Sequence, residues 1–94
     1  MQKSLRTPRQ QRLQSLLIEA RKAKRLTQAD IATALGRPQS FVAKYENGER
    51  RIDVVEFMDI VAALGVSAAE ILAEVESAKT PAKGTRTRKT SARK

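Results

Sequence analysis

Apolar residues recur at helical spacing in the first third of the chain. Those that share one face of the repeat are Leu13, Leu16, Leu17 and Ala20. A spacing of three to four residues is typical of an amphipathic helix with one face against a core. No glycine or proline follows Pro8 in this segment. We therefore predict a first helix over residues 9–25, with its basic side chains on the opposite face.

The periodicity restarts further along, and three of the restarts follow a helix-capping pair. In each pair, a residue with a side-chain oxygen occupies the N-cap and an acidic residue follows three positions later. The two side chains can accept hydrogen bonds from backbone amides that are otherwise free at a helix start. The pairs are Thr27 with Asp30, Asp53 with Glu56, and Ser67 with Glu70. Glycines at 36 and 65 suit the C-terminal caps of the helices that the first two pairs begin. No segment alternates apolar and polar residues as a strand would, so an all-α fold is predicted.

The second and third predicted helices are separated by a very short break. Pro38 suits the first turn of a helix, because its missing N–H would have no intrahelical partner there, and it disfavours a helical backbone at Arg37. The break is therefore only Gly36 and Arg37, between helices at 28–35 and 38–46. Two short helices joined so tightly cross at a steep angle, which predicts a helix-turn-helix.

The predicted third helix has few residues for a core and an unusual outward face. Val42 and Tyr45, three positions apart, are its strong core candidates. The residues assigned to the outward face are Ser40, Lys44 and Asn47 at i, i+4 and i+7, flanked by Gln39, Phe41 and Ala43. A helix that needed only solubility would carry Glu and Lys on this face. Gln, Ser and Phe indicate a recognition surface instead.

Charge is segregated along the chain, which has a net charge of +9. Residues 1–51 hold twelve Lys or Arg and four Asp or Glu, residues 52–76 hold none and six, and residues 77–94 hold seven and none. This segregation favours a polyanion as the partner. Residues 77–94 also lack Leu, Ile, Val, Met and aromatic side chains, so we expect a disordered basic tail there. The remaining chain divides into a flexible arm at 1–8 and one domain at 9–76.

The composition excludes several classes of function. The 94 residues include no Cys and no His, which removes disulfides, zinc fingers, thiol nucleophiles and the usual imidazole base. No nucleophile–base set, metal-ligand cluster or phosphate-binding loop occurs in the sequence, so we expect neither an enzyme nor a cofactor. The N-terminal segment is polar and basic without an apolar run, so we expect a cytoplasmic, nucleoid-associated location.

Three short motifs in a set order carry a family resemblance. They are LTQ at 26–28, KYENG at 44–48 and LGVS at 64–67. With the helices around them, they resemble the helix-turn-helix domain of lambda-type phage repressors and Cro, the XRE family of transcriptional regulators. The resemblance implies a compact five-helix lambda-repressor-like domain, whose third helix enters the major groove of DNA.

The resemblance also implies roles for individual residues. Gln39, Ser40 and Lys44 match base-reading positions of the third helix. Gln28 matches a glutamine that holds a phosphate and braces the third helix, and Asn47 matches an asparagine that binds phosphate. The resemblance further matches Arg21 and Glu46 to a partly buried ion pair.

Four other residues complete the predicted interface. Phe41 lies between the base-reading positions, and we expect it to press on thymine methyl groups. Arg37 is expected to face a phosphate, and Arg50 and Arg51 of the NGERR loop are expected to bind phosphates of the DNA backbone. Arg37 and Pro38 stand where the family usually has an apolar residue and a capping Ser or Thr, so the tilt of the third helix stays open.

These residues together predict sequence-specific binding of double-stranded DNA by a transcriptional regulator that acts as a repressor. A single helix reads only a few base pairs, so a homodimer on a palindromic operator is expected. The candidate dimer surface consists of Val55, Met58, Leu72 and Val75.

Two alternatives stay open. The first is the antitoxin of a toxin–antitoxin module, whose C-terminal segment would wrap a toxin protein while the helix-turn-helix represses its own operon. A wholly polar tail disfavours this role, because toxin wrapping would need apolar contacts. The second is a nucleoid-type protein that binds DNA through its tail without sequence choice.

Overall fold

The computed structural model describes residues 7–78, and these residues form five helices and no strand. The helices are α1 (Pro8–Ala23), α2 (Gln28–Leu35), α3 (Gln39–Glu46), α4 (Val54–Leu64) and α5 (Ala68–Ser77). The predicted all-α class, with its five helices, is confirmed. None of these five helices has the length and hydropathy that a membrane-spanning helix requires.

The predicted capping pairs begin three of the helices. At α2, the Thr27 hydroxyl accepts from the Asp30 amide at 3.0 Å and the Asp30 carboxylate accepts from the Thr27 amide at 2.8 Å. The same reciprocal pair forms at α4, between Asp53 and Glu56. At α5, the Ser67 hydroxyl accepts a hydrogen bond from the backbone amide of Glu70. Unlike the caps of α2 and α4, this cap has no reciprocal bond from the acidic side chain.

The start of α1 and the end of α5 differ slightly from the predicted boundaries of the domain. Thr7 accepts a hydrogen bond from the Gln10 amide at 3.1 Å, and this N-cap starts α1 at Pro8. Residues 7 and 8 therefore belong to the domain and not to the predicted arm, and α5 continues to Ser77. The rest of the predicted arm, residues 1–6, and residues 79–94 of the predicted tail lie outside the described residues.

The turn between α2 and α3 is one residue longer than predicted, because it includes Pro38 as well as Gly36 and Arg37. Gly36 adopts a left-handed backbone with φ 67°, and the Arg37 amide donates to the Ala32 carbonyl at 3.0 Å. Glycine takes this conformation without the penalty that a side chain would bring. Pro38 is extended and occupies the N-cap, so α3 begins at Gln39 and not at Pro38 as predicted. The reason is the backbone of Pro38, whose ψ of 152° is not helical.

The core lies where all five helices meet. Its buried apolar residues are Leu17, Ile31, Ala32, Phe41, Val42, Tyr45, Phe57, Ile60, Val61, Leu64 and Ile71. Helix α2 packs on α3 and α4, and α1 packs on α5 and α3. Val42 and Tyr45 anchor α3 in this core as predicted, and they leave the opposite face of α3 in solvent.

Candidate nucleic-acid interface

Helix α3 presents a polar face to solvent. Gln39 and Ser40 in its first turn, Lys44 one turn later and Asn47 at its C-cap are all exposed. Their spacing places them along one side of the helix. Burial raises the pKa of the Tyr45 hydroxyl, which lies on the other side against the core. The structure therefore separates an anchoring face from a face whose side chains are available to a ligand.

Phe41 does not lie on this exposed face, so its predicted placement is wrong. Only 6% of its surface is exposed. Its ring meets the ring of Tyr45 edge to face, with centroids 5.4 Å apart. The two residues are four positions apart and so share a helix face, which places Phe41 beside the core and not beside Ser40 and Lys44. A ring held in this way is not available to thymine methyl groups.

A buried ion pair ties α1 to the end of α3. Arg21 donates from Nε to Oε2 of Glu46 at 2.8 Å and from Nη2 to Oε1 at 3.1 Å. The two side chains are only 13% and 4% exposed. The remaining nitrogen of Arg21, Nη1, donates to the carbonyl of Leu26 at 2.9 Å. The hydrogen bonds to Glu46 raise the pKa of Arg21, against the opposing effect of burial.

Gln28 connects this ion pair to the exposed face of α3. Its Nε2 donates to Oε1 of Glu46 at 2.9 Å. Its Oε1 accepts from Nε2 of Gln39 at 3.4 Å. A chain of contacts therefore runs from the interior to a predicted base-reading residue, through the glutamine that was predicted to brace α3. Such a network limits the positions that the Gln39 amide can take.

Two of the predicted phosphate-binding arginines share one carboxylate of the protein, that of Glu56. Arg50 forms a bidentate pair with Glu56, from Nη1 to Oε1 at 3.0 Å and from Nη2 to Oε2 at 2.9 Å. Nη1 of Arg37 lies 3.6 Å from Oε2 of the same carboxylate. Both guanidinium groups lie over the ring of Phe41. The third predicted arginine, Arg51, is exposed.

The turn after α3 is closed by contacts from α1. Gly48 has a left-handed backbone with φ 79°, and a Cβ built there would come within 3.0 Å of Nε2 of Gln14. Gln14 itself donates from Nε2 to the Glu46 carbonyl at 3.3 Å. Asn47, the C-cap residue of α3 just before this turn, is exposed.

Glu56 and Gln14 are the site residues that sequence reasoning missed. Glu56 was predicted only as a helix cap, although an acidic residue six positions after Arg50 offered a signal for a pair. Gln14 carried no signal, because its contact with the carbonyl of Glu46 depends on how α1 crosses α3. No acidic cluster in residues 7–78 is arranged to hold a metal ion.

Comparison with known proteins agrees with this geometry. The sequence profile of the helix-turn-helix family matches residues 17–71. An XRE-family-like protein from Pseudomonas syringae pv. tomato is 51% identical, with a TM-score of 0.70, over 73% of this chain and 84% of that one. The chain belongs to the XRE-type helix-turn-helix family. As a member of the XRE family, it is a DNA-binding transcription regulator.

Other solved structures share the XRE-type fold. The restriction-modification controller protein C.AhdI from Aeromonas hydrophila is 29% identical over 66% of this chain and 94% of its own, with a TM-score of 0.62. The clp gene regulator ClgR from C. glutamicum is 22% identical over 78% of this chain and 95% of its own, with a TM-score of 0.68, and this likeness shows the fold alone. No curated protein sequence matches the chain significantly.

Proposed function

We propose that this regulator binds double-stranded DNA in a sequence-specific manner, with α3 as the recognition helix in the major groove. The observation that carries the proposal is the contact between Gln39 and Gln28 at 3.4 Å, with Gln28 in turn fixed to Glu46 at 2.9 Å. An exposed glutamine that is already oriented by a hydrogen bond to its neighbour is suited to reading a base, because little side-chain entropy is lost when its amide binds the base.

Base reading falls to three exposed residues of the recognition helix. Gln39 offers a carbonyl and an amide N–H that together match N6 and N7 of adenine. Lys44 can donate to N7 or O6 of guanine, and the Ser40 hydroxyl can donate or accept. All three lie within the first two turns of an eight-residue helix. Such a helix covers only a few base pairs.

Phosphate contacts position the recognition helix. Gln28 at the start of α2 and Asn47 at the end of the recognition helix are the uncharged candidates. The free amides of α2 add the positive end of a helix dipole beside Gln28. Arg37 and the NGERR loop supply positive charge around the same surface. These contacts fix register and orientation and carry no sequence information themselves.

A two-fold dimer extends the site that is read. Large apolar side chains on α4 and α5 stay more than half exposed in the single chain, namely Val54, Val55, Met58 and Leu72, whereas Val75 is partly buried. Burying them between two copies would remove apolar surface from water. We expect palindromic half-sites about 34 Å apart. A monomeric mass in sedimentation at micromolar concentration, with DNA present, would contradict the dimer.

We further propose that the regulator represses. A small domain bound across a promoter blocks access to it by occupancy alone, and this requires no additional contact with the transcription machinery. Repression is tested with a reporter that carries the operator within its promoter. A rise in reporter output when the protein is expressed would show that it activates transcription and does not repress it. The antitoxin role stays a prediction, and no contact among residues 7–78 favours it.

The DNA-binding proposal is tested by selecting bound duplexes from a random pool, followed by chemical-shift mapping with the selected duplex. We expect a recovered motif and shifts concentrated at residues 39–44 and at Asn47. A matched scrambled duplex is the control, and it should shift the recognition helix much less. If residues 39–44 do not move while another region responds, the recognition helix is not the reading element.

A further inference from the structure

Two arginines that flank the recognition helix share one carboxylate and one aromatic ring. Arg37 precedes the helix and Arg50 follows it. Their guanidinium carbons lie 4.0 and 4.8 Å from the centroid of the Phe41 ring. Glu56, in the first turn of α4, pairs with both. The recognition helix packs on α2 and α1. This group of four residues additionally links both ends of the recognition helix to α4.

The two arginines are held very differently. Arg50 donates to both oxygens of Glu56 and, from Nη1, to the carbonyl of Arg51 at 2.8 Å. Arg37 approaches Glu56 no closer than 3.6 Å, which is outside hydrogen-bond range. In the part of the chain that the structure describes, the Arg37 guanidinium makes no hydrogen bond. It is positioned by stacking on Phe41 and by charge attraction, so its N–H donors stay available.

Glu56 also makes the group unsuited to two phosphates. It neutralises one of the two arginines, and its Oε1 accepts from the Asp53 amide at 2.9 Å as part of the helix cap. If Arg50 turned to a phosphate, the Glu56 carboxylate would lose its bidentate partner and face the negative charge of DNA at the same time. Arg37 can bind a phosphate without breaking any hydrogen bond.

We propose that this group binds one DNA phosphate through Arg37, and that Glu56 is a positioning residue that keeps Arg50 on the protein and excludes a second phosphate contact. The inference rests on the proposed DNA-binding function. It replaces the prediction of equivalent phosphate contacts by Arg37 and Arg50 with two distinct roles. Arg37 acts on DNA, and Arg50 holds the end of the recognition helix.

The test is the slope of log affinity against log salt concentration, measured with the full chain and the duplex selected from the random pool. Each phosphate neutralised by a cation contributes about 0.9 to this slope. Arg37→Gln should make the slope shallower by about 0.9. Arg50→Gln should weaken binding by the same factor at every salt concentration. Glu56→Gln should steepen the slope by about 0.9, because Arg50 is released to a phosphate.

Glu49→Gln is the matched control, since it removes the same charge from an exposed position in the neighbouring turn and should leave the slope unchanged. Glutamine at position 56 still accepts the Asp53 amide, so the helix cap survives the substitution. Circular dichroism checks the folding of each variant. If Glu56→Gln fails to fold, the contrast between Arg37→Gln and Arg50→Gln decides alone.

An unchanged slope for Arg37→Gln would overturn the inference, and so would equal reductions for Arg37→Gln and Arg50→Gln. A folded Glu56→Gln variant with the wild-type slope would also overturn it. These outcomes leave the proposed function standing as long as the wild-type chain prefers the selected duplex. If the wild-type chain shows no preference for any duplex, the proposed function itself is wrong.

Discussion

Gln28 donates from Nε2 to Oε1 of Glu46 over 2.9 Å, and this contact determines which way the Gln28 amide faces. A carboxylate can only accept hydrogen bonds, so the nitrogen must point to Glu46 and the oxygen away from it. The oxygen then receives Nε2 of Gln39 at 3.4 Å. The buried ion pair thereby sets the orientation of an exposed amide at the start of the recognition helix.

Replacing Gln39 by Ala should cost about 1–3 kcal/mol of discrimination at one base pair, because a bidentate contact to adenine is lost there. The measurement is competition binding against duplexes substituted one position at a time. Asn47→Ala is the comparison, and it should weaken binding to every duplex alike, since phosphate contacts carry no sequence information. A Gln39→Ala variant that keeps the wild-type motif would show that another residue reads the base.

Replacing Gln28 by Ala should relax the preference at the same base pair, although Gln28 is not expected to touch a base. Without its contact to Gln28, the amide of Gln39 must be ordered by DNA itself, which lowers the affinity gained from the correct base. The same substituted duplexes measure this effect. Gln11→Ala removes an exposed glutamine from α1 and should change nothing. A loss of base preference at a different base pair would show that Gln28 does not act through Gln39.

Much of the fold was predictable because it depends on local rules. Thr27 and Asp53 cap helices through atoms only three residues away, and Gly36 ends α2 through its own backbone. The helix-turn-helix followed from these signals and from Pro38. Its start was misplaced by one residue, because a proline suits both the N-cap and the first turn.

The site was less predictable because its contacts join residues distant in sequence. Phe41 is predicted on the exposed face, although its spacing of four residues from Tyr45 indicates the buried face. Its position under two arginines depends on Glu56 of α4, which pairs with both of them. The role of Glu56 likewise appears only when the NGERR loop is folded back onto α4. Periodicity assigns a face to a residue, but it does not supply the partner.

Replacing Arg21 by Ala should lower the free energy of unfolding by about 3–5 kcal/mol, because it leaves the carboxylate of Glu46 buried without its partner. Urea denaturation measures the loss. Arg12→Ala is the matched control, since it breaks the exposed pair with Glu74, whose atoms lie 2.9 Å apart. That loss should stay below about 1 kcal/mol. Equal losses for the two variants would mean that burial does not distinguish the pairs.

Stability should fall in acid partly through Glu56. The hydrogen bonds from Arg50, joined by that from the Asp53 amide, lower the pKa of Glu56 from 4.5 to about 2. Because the folded state has the lower pKa, the carboxylate stabilises the fold fully above about pH 4.5 and loses this effect as pH falls towards 2. Urea midpoints between pH 2 and 7 should therefore decline less steeply in Glu56→Gln than in the wild type. Glu49→Gln should follow the wild-type curve, and parallel curves for all three proteins would contradict the assignment.

Truncation after Ala78 should reduce the salt dependence of DNA binding without changing the preferred sequence. The removed residues 79–94 carry seven Lys or Arg and no acidic side chain. Each one that neutralises a phosphate contributes about 0.9 to the slope of log affinity against log salt concentration. The truncation point preserves α5, which ends at Ser77 with Ala78 as its C-cap. Parallel salt titrations of the two proteins make the measurement, and selection from the random pool checks the motif. An unchanged slope would exclude residues 79–94 from DNA contact, whereas an altered motif would give them a part in sequence reading.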